Sequence, residues 1–223
     1  DGWNYNLNAH QNRNCSRYKT NSHPHFSVFA RTIIFRYCKY REISLPLHPK
    51  NVTKGKELKM KTTIVIYGSS TGSCQSIAET IASKLGAEAV DVTSINDDTI
   101  KSHENLILGT STWGAGEMQD DWYDGVKVLK SAGLSGKTVA IFGCGDSESY
   151  PDTFCGGMKE LFDAAVEAGA NVLPGVSTDG YTFDDSEAVD GDKFVGLALD
   201  EVNEDDKTEE RIDAWLEAIK PSL

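Results

Sequence analysis

From Met60 to Leu223, short apolar runs rich in β-branched residues alternate with stretches whose apolar residues recur at helical spacing. Lys61–Tyr67 is the first run, and Ser76–Leu85 carries Ile77, Ala78, Ile81 and Leu85 on one helical face before Gly86 stops it. Glu88–Val92 and Asn105–Gly109 read as the second and third strands. Trp122–Ala132 reads as a helix with Trp122, Val126 and Leu129 on one face, closed by Gly133. Thr138–Phe142 is the expected fourth strand, and Gly157–Ala168 the helix built on Met158, Leu161, Phe162, Ala165 and Val166. Asn171–Val176 and Phe194–Leu199 read as two pieces of a fifth strand, separated by the polar stretch Ser177–Lys193. A last helix is expected from a cap at Thr208 to Lys220, ahead of Pro221. The strand runs do not alternate with polar residues, which argues for a parallel sheet covered on both faces. Five strands and about five helices fit a doubly wound α/β sheet, where ligands bind beyond the carboxyl ends of the strands.

The loops after the first, third and fourth strands are therefore where chemistry is expected. In the first, Gly68-Ser69-Ser70-Thr71-Gly72-Ser73-Cys74 offers hydroxyls and backbone N–H groups at a helix N-terminus, which suit a phosphate. It holds no lysine and no G-K-[ST], so it is not a nucleoside triphosphate loop. In the second, Thr110-Ser111-Thr112-Trp113-Gly114-Ala115-Gly116-Glu117 sets a tryptophan among small residues, where it can lie flat over a planar ring. Gly114 there permits a positive φ. In the third, Gly143-Cys144-Gly145-Asp146 lets the backbone approach a ligand edge; Asp146 offers an acceptor and Tyr150 a second flat face. Read singly, each loop has a plain alternative: a capping turn, a core tryptophan, or turn-forming aspartates at Asp146 and Asp152. Three ligand-side loops with complementary chemistry argue against chance.

Charge divides the chain. Residues 1–59 hold eleven Lys/Arg and three Asp/Glu, whereas residues 60–223 hold eleven Lys/Arg and thirty-one Asp/Glu, a net charge of about −20. Such an acidic domain repels nucleic acid and anionic membranes and favours partners with a basic face. The five cysteines form no C-x-x-C pair, and His103 is the only histidine after residue 59, which argues against zinc or haem ligation. No apolar run is long enough to span a bilayer, and a reducing cytoplasm is the simplest setting for the free cysteines.

These residues resemble the flavodoxin family over essentially all of Met60–Leu223. In that family the first loop reads [ST]-x-T-G-x-T and grips the phosphate of FMN; Ser69, Ser70, Thr71, Gly72 and Ser73 match it, and Cys74 stands where the family has threonine. A thiol is the weaker donor. The resemblance implies that Trp113 and Tyr150 sandwich the isoalloxazine ring and that Asp146 faces its pyrimidine edge. Ser111, Thr112, Gly114, Ala115, Cys144 and Gly145 complete the expected FMN contacts, with no catalytic or metal residue. It also implies the strand order 2-1-3-4-5, a flavodoxin-like sheet with helices on both faces. The stretch from Thr178 to Glu201, which interrupts the fifth strand, resembles the long-chain subfamily, in which the inserted loop does not touch FMN. On reduction, the Gly114-Ala115 peptide is implied to turn its carbonyl toward flavin N5. The implied function is a low-potential one-electron carrier, not an enzyme, monomeric and cytoplasmic. Its implied partners are ferredoxin–NADP-type reductases or ferredoxin-reducing oxidoreductases. The alternative is an FMN-dependent quinone or NAD(P)H reductase of the same fold. A phospho-receiver domain would need acids where this chain has Gly68-Ser69-Ser70 and Gly109-Thr110-Ser111.

Residues 1–59 form a basic extension without clear periodicity, expected to be disordered or foreign to the native protein. A transit peptide is one reading. The preferred one is translated upstream sequence, because Lys56-Glu57 can be encoded AAG-GAG just ahead of Met60.

Overall fold

The first strand, β1 (Thr63–Gly68), pairs in parallel with β2 (Glu88–Asp91) on one side and β3 (Asn105–Trp113) on the other. β3 pairs with β5 (Thr138–Cys144), whose outer edge carries both β6 (Asn171–Val172) and β9 (Leu197–Leu199). All these pairings are parallel, and the main strands follow the expected doubly wound order. The structure is a computed structural model and describes residues 62–223; the readings of residues 1–59 lie outside the described residues.

Side-chain alternation splits each central strand between two cores. Ile64, Ile66, Leu106, Leu108, Val139 and Ile141 face a cluster with Trp122, Leu129, Met158 and Leu161. These last come from α3 (Trp122–Ala132) and α4 (Gly157–Glu167). Val65, Ile107, Ala140 and Phe142 face the other way, onto Ile77 and Ile81 of α1 (Ser73–Leu85) and Trp215 and Leu216 of α5 (Asp205–Ile219). Each fully buried aliphatic side chain contributes about 1.5–3 kcal/mol. That two-sided burial explains why the strands read as unbroken apolar runs.

Several boundaries differ from expectation. β3 runs on to Trp113 because β4 (Glu117–Met118) folds back on it, pairing Thr112 with Met118 and Trp113 with Glu117. A short helix not foreseen, α2 (Asp97–Ser102), starts at a capping box between Asn96 and Thr99. α5 begins at Asp205, with Glu204 at the cap position ion-paired to Lys207 (2.5 Å) and Arg211 (2.6 Å); Thr208 lies inside the helix and bonds Glu201 instead. The two pieces of the fifth strand are shorter than expected because they bond each other: Val176 N–H to Gly196 O (3.1 Å) and Phe194 N–H to Val176 O (2.9 Å). The inserted stretch contains β7 (Val189–Asp190) and β8 (Lys193–Phe194), a small antiparallel pair.

The close approach of β3 to β5 depends on Gly109, where an added Cβ would enter the Phe142 ring. Gly109→Ala should lower stability by about 1–3 kcal/mol through overpacking, read as a fall in the urea midpoint. An unchanged midpoint would mean that Phe142 can move aside.

Candidate functional site

Gly68, Thr110 and Gly143 sit opposite one another in the ladder of β1, β3 and β5, and the parallel pairing of these strands ends within one residue of that level. Beyond that level lies a cavity of about 310 Å³ lined by residues of all three loops: Thr71 and Ser73; Ser111, Thr112, Trp113 and Gly114; Cys144, Gly145, Asp146 and Tyr150.

At the tip of the first loop, Ser70 Oγ accepts a hydrogen bond from Gln119 Nε2 (3.4 Å). Residues 70–73 are exposed, and Ser69 Oγ accepts the Gly72 N–H (3.1 Å) within the turn. Gly72, at φ +97°, occupies the cap position of α1 with no side-chain hydrogen bond, and the first turn of α1 carries no acid. The positive end of that helix is thus not offset by a carboxylate of its own first turn. Cys74 is placed differently from its neighbours: its side chain is fully buried with Val65, Tyr67 and Phe142. Burial, reinforced by the adjacent Cys144 thiol, pushes its pKa well up, so it stays neutral. Its backbone N–H remains at the helix start.

Trp113 and Tyr150 both line the cavity and are 43% and 61% exposed, unusual for such large rings. Trp113 is steadied by its Nε1–H to Ser111 Oγ (2.8 Å). The hairpin that follows turns through Gly114 at φ +54° and Gly116 at φ +111°, closed by Gly116 N–H to Trp113 O (3.0 Å). Ala115, which does not line the cavity, donates its N–H to the Glu117 carboxylate (2.5 Å). Ser69, Ser70 and Gly72 likewise lie outside the lining.

Asp146 Oδ1 accepts from Ser149 N–H and from Asn203 Nδ2, each at 2.9 Å. Burial opposes its ionisation, but these bonds outweigh it and hold the carboxyl below its ordinary value. Asp200, fully buried, is held low in the same way: burial opposes, while bonds from Asn203 and Ser147 prevail. Four further lining residues escaped sequence reasoning: Thr153, Phe154, Glu201 and Val202. The inserted stretch braces the Tyr150 side from outside. Asp184 and Asp185 donate their N–H groups to Pro151 O (2.9 and 3.0 Å), Ser186 Oγ bonds Phe154 O (2.6 Å), and Phe183 stacks on Phe154 at 5.7 Å.

The family model described as Flavodoxin matches residues 65–215. The chain belongs to the flavodoxin family. The Helicobacter pylori flavodoxin is 40% identical over 160 residues, covering 71% of this chain and 96% of that protein. Flavodoxin 1 of Azotobacter vinelandii is 39% identical over 163 residues, covering 70% and 94%. Among solved structures, the Fusobacterium nucleatum flavodoxin bound to flavin mononucleotide superposes with a TM-score of 0.68 at 33% identity, covering 74% of this chain and 99% of that one. Among the described residues, no helix is long and apolar enough to cross a membrane.

Asp146 and Asp200 have folded-state pKa values below those of the unfolded chain. Their contribution to stability is therefore complete above about pH 4 and is lost as pH falls through the depressed values. Asp200→Asn should cost about 1–3 kcal/mol at neutral pH and flatten the acid limb of a urea-unfolding series. An acid limb identical to that of the wild type would remove Asp200 from this account.

Proposed function

We propose that the chain carries electrons one at a time between larger redox enzymes, holding FMN non-covalently in the slot shared by Trp113 and Tyr150. The observation that carries this reading is the convergence of Thr71, Ser73, Trp113, Asp146 and Tyr150 on one cavity. The membership of the family and the FMN-bound Fusobacterium relative support it.

The residues suit the cofactor part by part. The hydroxyls of Ser69, Ser70, Thr71 and Ser73 and the free N–H groups at the start of α1 would hold the phosphate without any cation. Cys74 contributes its backbone N–H, its thiol being packed in the core. Trp113 and Tyr150 would cover the two ring faces and exclude water from them. Thr112, at the cavity wall, keeps Oγ1 buried with no hydrogen-bond partner, a hydroxyl that a polar ring edge would satisfy. Bound FMN supplies the one-electron chemistry. Gly114, free of a Cβ and held at φ +54°, lets the following peptide turn. Anionic Asp146, with Glu201 on the same wall and no Lys or Arg there among the described residues, opposes added negative charge in the slot. The acidic domain, residues 60–223, would steer basic-faced partners such as ferredoxin–NADP-type reductases or ferredoxin-reducing oxidoreductases, working as a cytoplasmic monomer.

The test is a visible spectrum of the purified protein during dithionite titration. A yellow protein that develops long-wavelength absorbance at half reduction supports the carrier. Direct bleaching, or NADPH oxidation without a separate reductase, points instead to a two-electron FMN-dependent quinone or NAD(P)H reductase. Tyr150→Ala should weaken FMN binding by about 1–2 kcal/mol, roughly tenfold in Kd. Gly114→Val should lower the half-reduced yield; an undiminished yield would count against the role given to Gly114. Partner association should weaken as salt rises.

A further inference from the structure

The loop that carries Asp146 is fastened, residue after residue, to the end of β9 and the chain that follows it. Gly145 donates its N–H to Leu199 O (3.0 Å). Ser147 donates both its N–H (2.9 Å) and its Oγ–H (2.6 Å) to Asp200 Oδ2. Between them, Asn203 Nδ2 reaches Asp146 Oδ1 (2.9 Å) and both Asp200 oxygens (3.1 and 2.9 Å). Asp200 is fully buried and also caps its own turn, accepting the N–H groups of Val202 and Asn203 at 3.0 Å each.

Two carboxylates thus face one primary amide. An amide nitrogen offers two hydrogens and no charge, so it can bind both acids at once and separate their like charges. An aspartate in its place would add a third negative charge, and an alanine would leave the acids facing each other. With Asn203 in place, Asp146 is both ionised and fixed in direction. Without it, Asp146 keeps the bond from its own Ser149 N–H, which belongs to the same turn and gives no anchor to the sheet.

We propose that Asn203, itself held by Asp200, is the positioning residue for the Asp146 carboxylate at the flavin edge, and that it thereby sets the gap between the two one-electron reduction potentials of the carrier. The inference rests on the FMN reading above. A carboxylate fixed at the slot opposes the charge added by the second electron more than one free to swing into solvent. Fixing it therefore widens the gap.

The test measures both potentials and FMN affinity in the full chain, for Asn203→Ala, Asp146→Asn and the double variant. Circular dichroism confirms the fold of each. Asn203→Ala should shrink the equilibrium constant for forming the half-reduced state about fivefold or more, because it uncouples contacting residues. On the Asp146→Asn background the same change should add no more than about twofold. Ser147→Ala, which removes one bond to Asp200 and leaves Asn203 on Asp146, should stay within about twofold of wild type. Asn203→Gln, whose amide sits one methylene further out, should give an intermediate gap, and it carries the test if the alanine variant does not fold. A folded, FMN-bound Asn203→Ala with an unchanged gap overturns the inference and leaves the FMN reading intact. So does an effect that persists in full without the Asp146 carboxylate. A wild-type chain that takes up no FMN overturns both.

Discussion

The hydrogen bonds that hold Gly68, Thr110 and Gly143 opposite one another set the arrangement of the whole ligand side. In this register the parallel pairing of β1, β3 and β5 ends within one residue of a common level, so the segments beyond it emerge as neighbours although they lie far apart in sequence. The register is fixed by burial on both faces. A slip of one residue would move Ile64 and Ile66 from one core to the other and force Val65 and Tyr67 in the opposite direction. The site is thus a consequence of two cores being packed correctly at once, and its precision is inherited from the sheet.

Electrostatics poses the harder demand. A domain with thirty-one acids against eleven bases must hold an anionic cofactor. Its means are local: an α1 N-terminus with no capping side chain and no acid in its first turn, beside exposed hydroxyls. A phosphate there meets oriented N–H groups at close range, whereas the acids elsewhere act through solvent and are screened beyond about 10 Å. The same acids sum to a negative field at the surface, felt by an approaching body within that screening length. Short-range donors and that field coexist because their distances differ.

Much of this was legible in the sequence. The apolar runs located β1, β3 and β5, and reasoning from strand ends brought Trp113, Asp146 and Tyr150 to the cavity wall. What escaped was structure without periodicity. A two-residue strand such as β4 has no pattern to read, so the extension of β3 to Trp113 stayed hidden. α2, which starts at the Asn96 and Thr99 capping pair, went unread because six residues are too few for a helical stripe. Cys74 fell at a phosphate-loop position by alignment although its type departs from the family's threonine, and its burial depends on packing against Tyr67 and Phe142 that no local pattern encodes. Asp200 and Asn203 lie more than fifty residues from Asp146, and only the return of the chain through β9 brings them together.

That return gives the broken fifth strand a structural role. An uninterrupted strand along β5 would fill the sheet edge without the excursion that bonds Pro151 and Phe154. Here β6 covers the start of β5, the chain leaves, and β9 covers its end by pairing with Phe142, Gly143 and Cys144. The excursion between them is anchored by an aromatic cluster: Phe194 lies against Tyr181 at 5.1 Å and Phe183 at 5.3 Å, and Arg211 covers the Tyr181 ring at 3.9 Å. From that anchor the excursion bonds Pro151 and Phe154, while the end of β9 bonds Gly145 and the chain beyond it bonds Asp146 and Ser147. One loop is therefore gripped from both ends. A loop tied at both ends by buried bonds samples fewer conformations than one tied by its own turn. The inserted stretch can accordingly influence the cavity without lining it, through the rigidity of the residues that do.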